Sequence, residues 1–500
     1  MLKVEEIKTF IDNDAESMKK AIAKVGVKYY EGKHDIENYR IFFINANGKI
    51  EEDKFKSNIK ISHPFFQELV DQEVQYMLSG TDGFVKSDIP ELQKELDAYF
   101  NDNEDFTAEL YDVLTGCVSK GFEYMYAYKN KEGKTGFQCA DSIGVVEVRA
   151  KETDDGCEYV IYSYVDKIGK EDKLIKRILV MDSKQTYFYC QEDDGKIMPD
   201  NCFEVSKGKF TNVRPHVVFQ MEGDEKVYYE DFGFIPFFRL DNCKKQHSGL
   251  KHIKALIDDY DLMSCGLSNN IQDTNEALYV VKGFQGDNLD ELMQNIKAKK
   301  HIGVDEDGGV EIKTIDIPYQ ARQTKLELDE KNIYRFGFGL NTSGLKDTAA
   351  TTSIAIKSAY SLLDLKANKL EIRLKQFMRK LLKVVLKEIN EENDTDYQQS
   401  DVYFNFEREI PVNEQENAQI ELTDAQRKQT EITTLLNIAT HLDNETLMEL
   451  IFEQLDLNYD DYKDKLPKPE ENDPYAAQSA LNAVQPEDEP VEVPGGDVIE

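Results

Sequence analysis

Residues 248–272 read Ser248-Gly-Leu-Lys-His-Ile-Lys-Ala-Leu-Ile-Asp-Asp-Tyr-Asp-Leu-Met-Ser-Cys-Gly-Leu-Ser-Asn-Asn-Ile-Gln272, and the organisation of the chain follows outward from them. Leu250, Ile253, Ile257, Tyr260, Ser264, Leu267 and Ile271 fall three or four apart and share one helical face, while Lys251, Asp258 and Asp259 fall on others. The stripe is narrow and largely apolar, so it needs a partner to cover it. Beyond it, Ala277–Val281 and Gly309–Ile315 read as strands around a short helix at Leu289–Ile296, and a second helix runs from about Tyr319 to Phe336. Two helices thus bracket a compact insertion, residues 273–318.

Upstream, residues 4–24 and 62–79 carry helix-period apolar positions, with Pro64 where a first helical turn accepts proline. After Gly121 the period becomes two, with Phe122, Tyr124, Tyr126 and Tyr128 on one face. Strands are expected at 143–149, 158–164, 174–181, 185–190 and 226–239, separated by acidic turns. Downstream, residues 337–352 are rich in Gly, Ser, Thr and Asn and suit a mobile loop. A long helix is expected from Ser353 to about Glu391, a strand at Val402–Phe406, and two helices near 413–441 and 444–457. From Pro467 on, six of the thirteen prolines and nine acids against Lys468 leave too little apolar surface to offset chain entropy, so residues 467–500 are expected to be disordered. The fold class is α+β.

A chain of 500 residues with 40% hydrophobic content supports about three structural units. Its 61 basic against 96 acidic side chains give a net charge of −35, which repels phosphate and argues against tight, sequence-reading DNA binding. The seven cysteines are scattered without a C-x-x-C spacing, as expected of free thiols in a reducing cytosol. Neither a signal peptide nor an apolar run of about 18 residues occurs, so no membrane span is expected.

Sites of chemistry are sparse. Gly133-Lys-Thr135 lacks the glycine five residues earlier that a phosphate loop needs, Tyr128 standing there, and reads as a hairpin turn. Phe336-Gly-Phe-Gly339 lacks a dinucleotide spacing. Cys243, His247 and His252 do not share a helical face, so no metal site is expected, and no cofactor motif occurs. Asp258, Asp259 and Asp261 read as the solvated side of an amphipathic helix rather than as paired catalytic acids. Between Lys357 and Lys387 nine basic residues stand against Asp364 and Glu371, either a solvated face or a contact with nucleic acid.

Read in order, Tyr29-Tyr-Glu-Gly32, the Asn58–Gly80 segment with Pro64, Phe65 and Phe66, then Gly233-Phe-Ile-Pro236, Asp241-Asn242 and Ile257-Asp-Asp-Tyr-Asp261 resemble the portal proteins of long-tailed phages of Gram-positive bacteria. The resemblance covers about residues 25–460 and rests on colinearity. It implies a phage portal fold: residues 1–247 the wing, 248–272 a stem helix, 273–318 the clip, 319–336 the second stem helix, 337–352 the tunnel loop, 353–412 the long helix and a returning wing strand, and 413–460 a helical crown. It further implies a dodecameric ring at one capsid vertex, through which double-stranded DNA is packaged and ejected, and no enzymatic activity.

The partners it implies are the terminase large subunit, a head-completion adaptor, scaffold and the major capsid protein, with assembly in the host cytoplasm and a place in the virion. Asn341, Thr342, Ser343 and Lys346 are then expected to touch DNA, in a loop made flexible by Gly337, Gly339 and Gly344. Asp305, Glu306 and Asp307 are expected on an exposed clip loop that docks exchangeable partners. Leu250, Ile253, Ile257, Tyr260, Leu267 and Ile271 are expected to pack the stem. The alternatives are a cytosolic scaffold or adaptor without a channel, and a hydrolase using the carboxylates near Asp258.

Overall fold

The computed structural model describes residues 1–454 apart from short segments, the longest being 150–155, 169–172, 220–226, 285–303, 314–317, 342–352, 409–413 and 440–443. The first expected helix is two, α1 (Val4–Ala15) and α2 (Met18–Tyr30). Ser17 divides them, its hydroxyl accepting from the Lys20 amide at 3.4 Å as a helix N-cap does. A hairpin of β1 (Phe42–Ile44) and β2 (Ile50–Glu52) follows, and α3 (Phe65–Met77) starts directly after Pro64. β3 (Val85–Ser87), α4 (Pro90–Leu96) and α5 (Glu104–Lys120) come next. α5 ends on Gly121 at φ 100°, a left-handed cap that glycine adopts without cost.

The period-two region forms two main sheets. β4 (Phe122–Lys129) and β5 (Thr135–Ala140) close as a hairpin over Asn130–Gly133, the turn expected there. β6 (Val145–Arg149), β7 (Cys157–Ile168), β8 (Lys173–Met181), β9 (Gln185–Glu192) and β10 (Met198–Pro199) make an antiparallel meander. Short strands β11 (Phe203–Ser206), β12 (Lys209–Thr211), β13 (Val213–Pro215) and β14 (Val217–Phe219) follow. The expected strand at 226–239 is β15 (Tyr228–Glu230) and β16 (Phe237–Asp241), parted by a turn at Gly233, φ 73°. β16 joins β4 and β5 in a three-stranded sheet.

The later elements are α6 (Lys254–Thr274), β17 (Leu278–Phe284), β18 (Val304–Lys313), α7 (Tyr319–Gly337), α8 (Ser353–Asn393) and β19 (Val402–Phe404). α8 is 41 residues long, roughly 60 Å at the α-helical rise. The helix expected at 289–296 lies outside the described residues. β19 returns to pair with β3, tying the end of the chain's first unit to its beginning.

One core joins α3, α5, β4, β16, α6 and α7 to α8: Leu69, Val113, Leu114, Met125, Leu240, Ile257 and Ile333 bury with Leu374, Phe377 and Leu381. Each such side chain contributes roughly 1.5–3 kcal/mol by leaving water. The meander buries Ile161, Ile178, Val180 and Tyr189 against Ile7 of α1. Residues 1–350 and 355–410 form this unit; a second, residues 351–354 and 411–500, contains α9 (Glu414–Asn437) and α10 (Asn444–Gln454), where Leu447 is buried.

Candidate functional site

α6 and α7 bracket the two-stranded β17–β18 insertion. Lys325 Nζ lies 2.5 Å from Asp259 Oδ2 and Arg322 covers Gly266, so the two helices run antiparallel. Lys325 also pairs with Asp329 one turn on. At the other end of α6, Lys254 bridges Asp258 at 2.8 Å and Asp35 at 2.5 Å, and the Tyr29 hydroxyl donates to Asp258.

The face that α6 buries differs from its apolar stripe. Leu250, Ile253 and Ile257 are buried, Tyr260 and Leu267 half-buried, and Ile271 is 53% exposed. From Ile257 burial passes instead to Asp261, Cys265 and Asn269, four residues apart. What covers them is an extended strap, residues 57–63. The amides of Ser57, Ile59, Ile61 and His63 reach Asp273 Oδ1 (3.1 Å), Asn269 Oδ1 (2.7 Å), Cys265 Sγ (3.2 Å) and Asp261 Oδ1 (3.0 Å). Two extended residues rise about 6.6 Å and four helical residues about 6.0 Å, so alternate strap amides meet successive turns of α6. Side chains here supply the acceptors a neighbouring strand would otherwise provide.

Asp261 is fully buried, which corrects its reading as part of a solvated face. His34 Nδ1 donates to Oδ2 at 2.6 Å and His63 Nδ1 to Oδ1 at 2.8 Å. Burial alone would raise this carboxyl's pKa; the hydrogen bonds from His34 and His63 outweigh it and hold the group below the ordinary aspartate value. His34 stacks on Tyr29, ring centres 4.5 Å apart. Ser264 Oγ lies 3.5 Å from His63 Nε2, completing a Ser-His-Asp sequence of contacts. Among the described residues, the Ile61 and His63 amides on either side of it donate to Cys265 and Asp261, so these contacts fasten residues 57–63 to the helix. The arrangement is a lock for the strap.

In the insertion, Asp305, Glu306 and Asp307 lie within β18 rather than in a loop. Lys282 pairs with Gly309 and Phe284 with Val304, so residues 305–308 bulge out opposite Gly283 (φ 66°), and Asp307 is exposed. At the exit of α7, Asn341 Nδ2 donates to Glu330 Oε1 at 3.2 Å; Thr342, Ser343, Gly344 and Lys346 lie outside the described residues. Gly337 and Gly339 serve close packing, not flexibility: a Cβ on them would stand 2.6 and 2.0 Å from Leu69 side-chain atoms. Gln72 grips Leu340 through both its amide nitrogen and its carbonyl, at 2.9 and 3.0 Å. The chain leaving α7 is therefore pinned to α3 as far as Leu340.

Part of the basic island is neutralised inside the subunit. Lys366 pairs with Glu73 at 2.7 Å and Lys375 with Glu371 at 2.7 Å, while Lys369, Arg379, Lys380 and Lys383 stay exposed. Among the described residues no group of three or more His, Cys, Asp or Glu is placed to hold a metal ion, and no helix is long and apolar enough to cross a membrane.

Antiparallel helices bracketing a small two-stranded insertion, set on a mixed helix-and-strand body, define the class, an α+β protein. The chain belongs to the phage portal protein family, SPP1 Gp6-like, whose family model matches residues 9–458. It is 27% identical over 358 residues to the portal protein of Bacillus phage SPP1, covering 71% of this chain and 67% of that one. The portal protein of Clostridium phage phiCD119 is 25% identical over 407 residues, covering 77% and 82%. A chain from the neck of an empty GTA particle superposes with a TM-score of 0.38 at 12% identity, over 78% of this chain and 90% of that one.

Proposed function

We propose that this portal subunit forms a ring, with twelve copies as the expected number, whose channel carries double-stranded DNA into and out of the capsid. Portal proteins form rings and associate with the capsid, and the observation that carries the finer reading is the α6–α7 pair with the insertion at its end, within a match that spans residues 9–458. The insertion docks the terminase large subunit during packaging and a head-completion adaptor afterwards, through the acidic bulge at Asp305–Asp307. Asn341, Thr342, Ser343 and Lys346 line the channel at the loop after α7. A net charge of −35 suits passage of DNA, since each phosphate neutralised by Lys or Arg adds affinity that must be broken at every step. The subunit does no covalent chemistry; the ATPase belongs to the motor. Scaffold and major capsid protein recruit it in the host cytoplasm.

The test is the native mass of the purified protein by mass photometry, with negative-stain images. Rings with a central hole, alone or when made together with scaffold, are expected. A closed dimer under both conditions would overturn the reading in favour of a cytosolic adaptor. Deleting residues 342–352 is expected to leave rings intact and abolish packaging.

A further inference from the structure

The β1–β2 hairpin is an exposed apolar element. Its register places Phe42, Ile44 and Ile50 on one face, Ile44 directly opposite Ile50, and they are 60%, 73% and 73% exposed. A lone two-stranded hairpin is marginal in water, and three large apolar side chains on one side of it call for a second surface.

Its place along the stem says which surface. The strap runs antiparallel to α6, with His63 at Asp261 and Ser57 at Asp273 near the helix's C-terminal end. Glu52 ends β2 five residues before Ser57, a tether of at most about 17 Å. The hairpin therefore stands at the insertion end of the stem. At that same level α6 presents Ile271, 53% exposed, and α7 begins with Tyr319, 58% exposed. One subunit thus carries two exposed apolar patches, on different elements, toward the insertion end of the stem. A contact between unlike patches closes into a ring when the operation joining the copies is a pure rotation, which needs both patches at one height along the axis; an offset would give a filament.

We infer that the hairpin of each subunit clamps the stem of the next, seating Phe42, Ile44 and Ile50 against Ile271 and Tyr319 of a second copy of this chain. The inference rests on the ring reading above. It gives the strap a purpose: by fastening residues 57–63 to α6, the subunit fixes the direction in which its hairpin reaches.

The test uses the full chain and follows ring formation by mass photometry across protein concentration. Ile44→Asp is expected to raise the concentration at half-assembly at least tenfold. The triple variant Phe42→Thr, Ile44→Thr, Ile50→Thr keeps strand-forming side chains and is expected to do the same with unchanged circular dichroism. Adding Ile271→Lys to Ile44→Asp restores assembly if the two side chains meet. Normal rings from both hairpin variants would overturn the clamp while leaving the ring reading intact. A wild-type chain that never assembles, with or without scaffold, would overturn the ring reading and the clamp together.

Discussion

Asp261 shows how one buried carboxylate organises a segment remote in sequence. It accepts from His34, His63 and the His63 amide, and replacing it with Asn removes a charge that two imidazoles need. Asp261→Asn is expected to cost about 2–4 kcal/mol and to speed amide exchange at Ile59, Ile61 and His63; unchanged exchange there would dissociate the strap from Asp261. Because folding lowers this pKa, its contribution is present above the unfolded value of about 3.9 and lost only as pH falls below that. Glu123 behaves oppositely. Burial lifts its carboxyl to about 7, with Lys120 pulling it down, so its contribution is full below 4.5 and lost as pH rises through about 7. Glu123→Gln should flatten the urea midpoint across that interval, and an unaltered slope would show the titration lies elsewhere. Asp258, Asp259 and Asp261 are near neighbours of one type in the sequence, and the position of residues 34 and 63 separates the buried one from its half-buried neighbours, which pair with Lys254 and Lys325.

At the scale of elements, α6 was legible as a helix, and its apolar residues as far as Ile257 mark the buried face. Beyond Ile257 the polar residues at 261, 269 and 273 take over because an extended strap needs acceptors, not methyl groups, opposite its amides. Polar side chains four apart on an amphipathic helix were the available signal. The end of α7 shows the same limit, since Gly337 and Gly339 look flexible in sequence and are tight against Leu69 in space. Gly339→Ala should lower stability by about 1–3 kcal/mol and loosen the chain leaving α7, read as faster proteolysis after Leu340; equal stability and proteolysis would restore flexibility as their role. Replacing residues 278–313 by a short turn should preserve α6, α7 and ring formation and abolish motor binding. Retained motor binding would place that site elsewhere.

For the whole molecule, assembly brings together subunits of net charge −35. Their mutual repulsion is long-ranged at low salt and short-ranged at high salt, whereas an apolar clamp is not weakened by screening. Raising ionic strength from about 0.05 to 0.5 M is therefore expected to favour rings in mass photometry. Salt-induced dissociation would mean that ion pairs, not apolar contacts, hold neighbours together.

The order of helices and strands, the insertion between α6 and α7, the long α8 and the family itself were written in the sequence, because periodicity and turn residues act over a few positions and colinearity survives divergence. Local pattern could not say which polar residues are buried or which apolar ones are left bare. Those outcomes depend on segments far apart in the chain, the strap at 57–63 on α6, Leu69 against Gly337 and Gly339 at the end of α7, and the exposed Phe42–Ile44–Ile50 face, and burial is decided only once such segments meet in space.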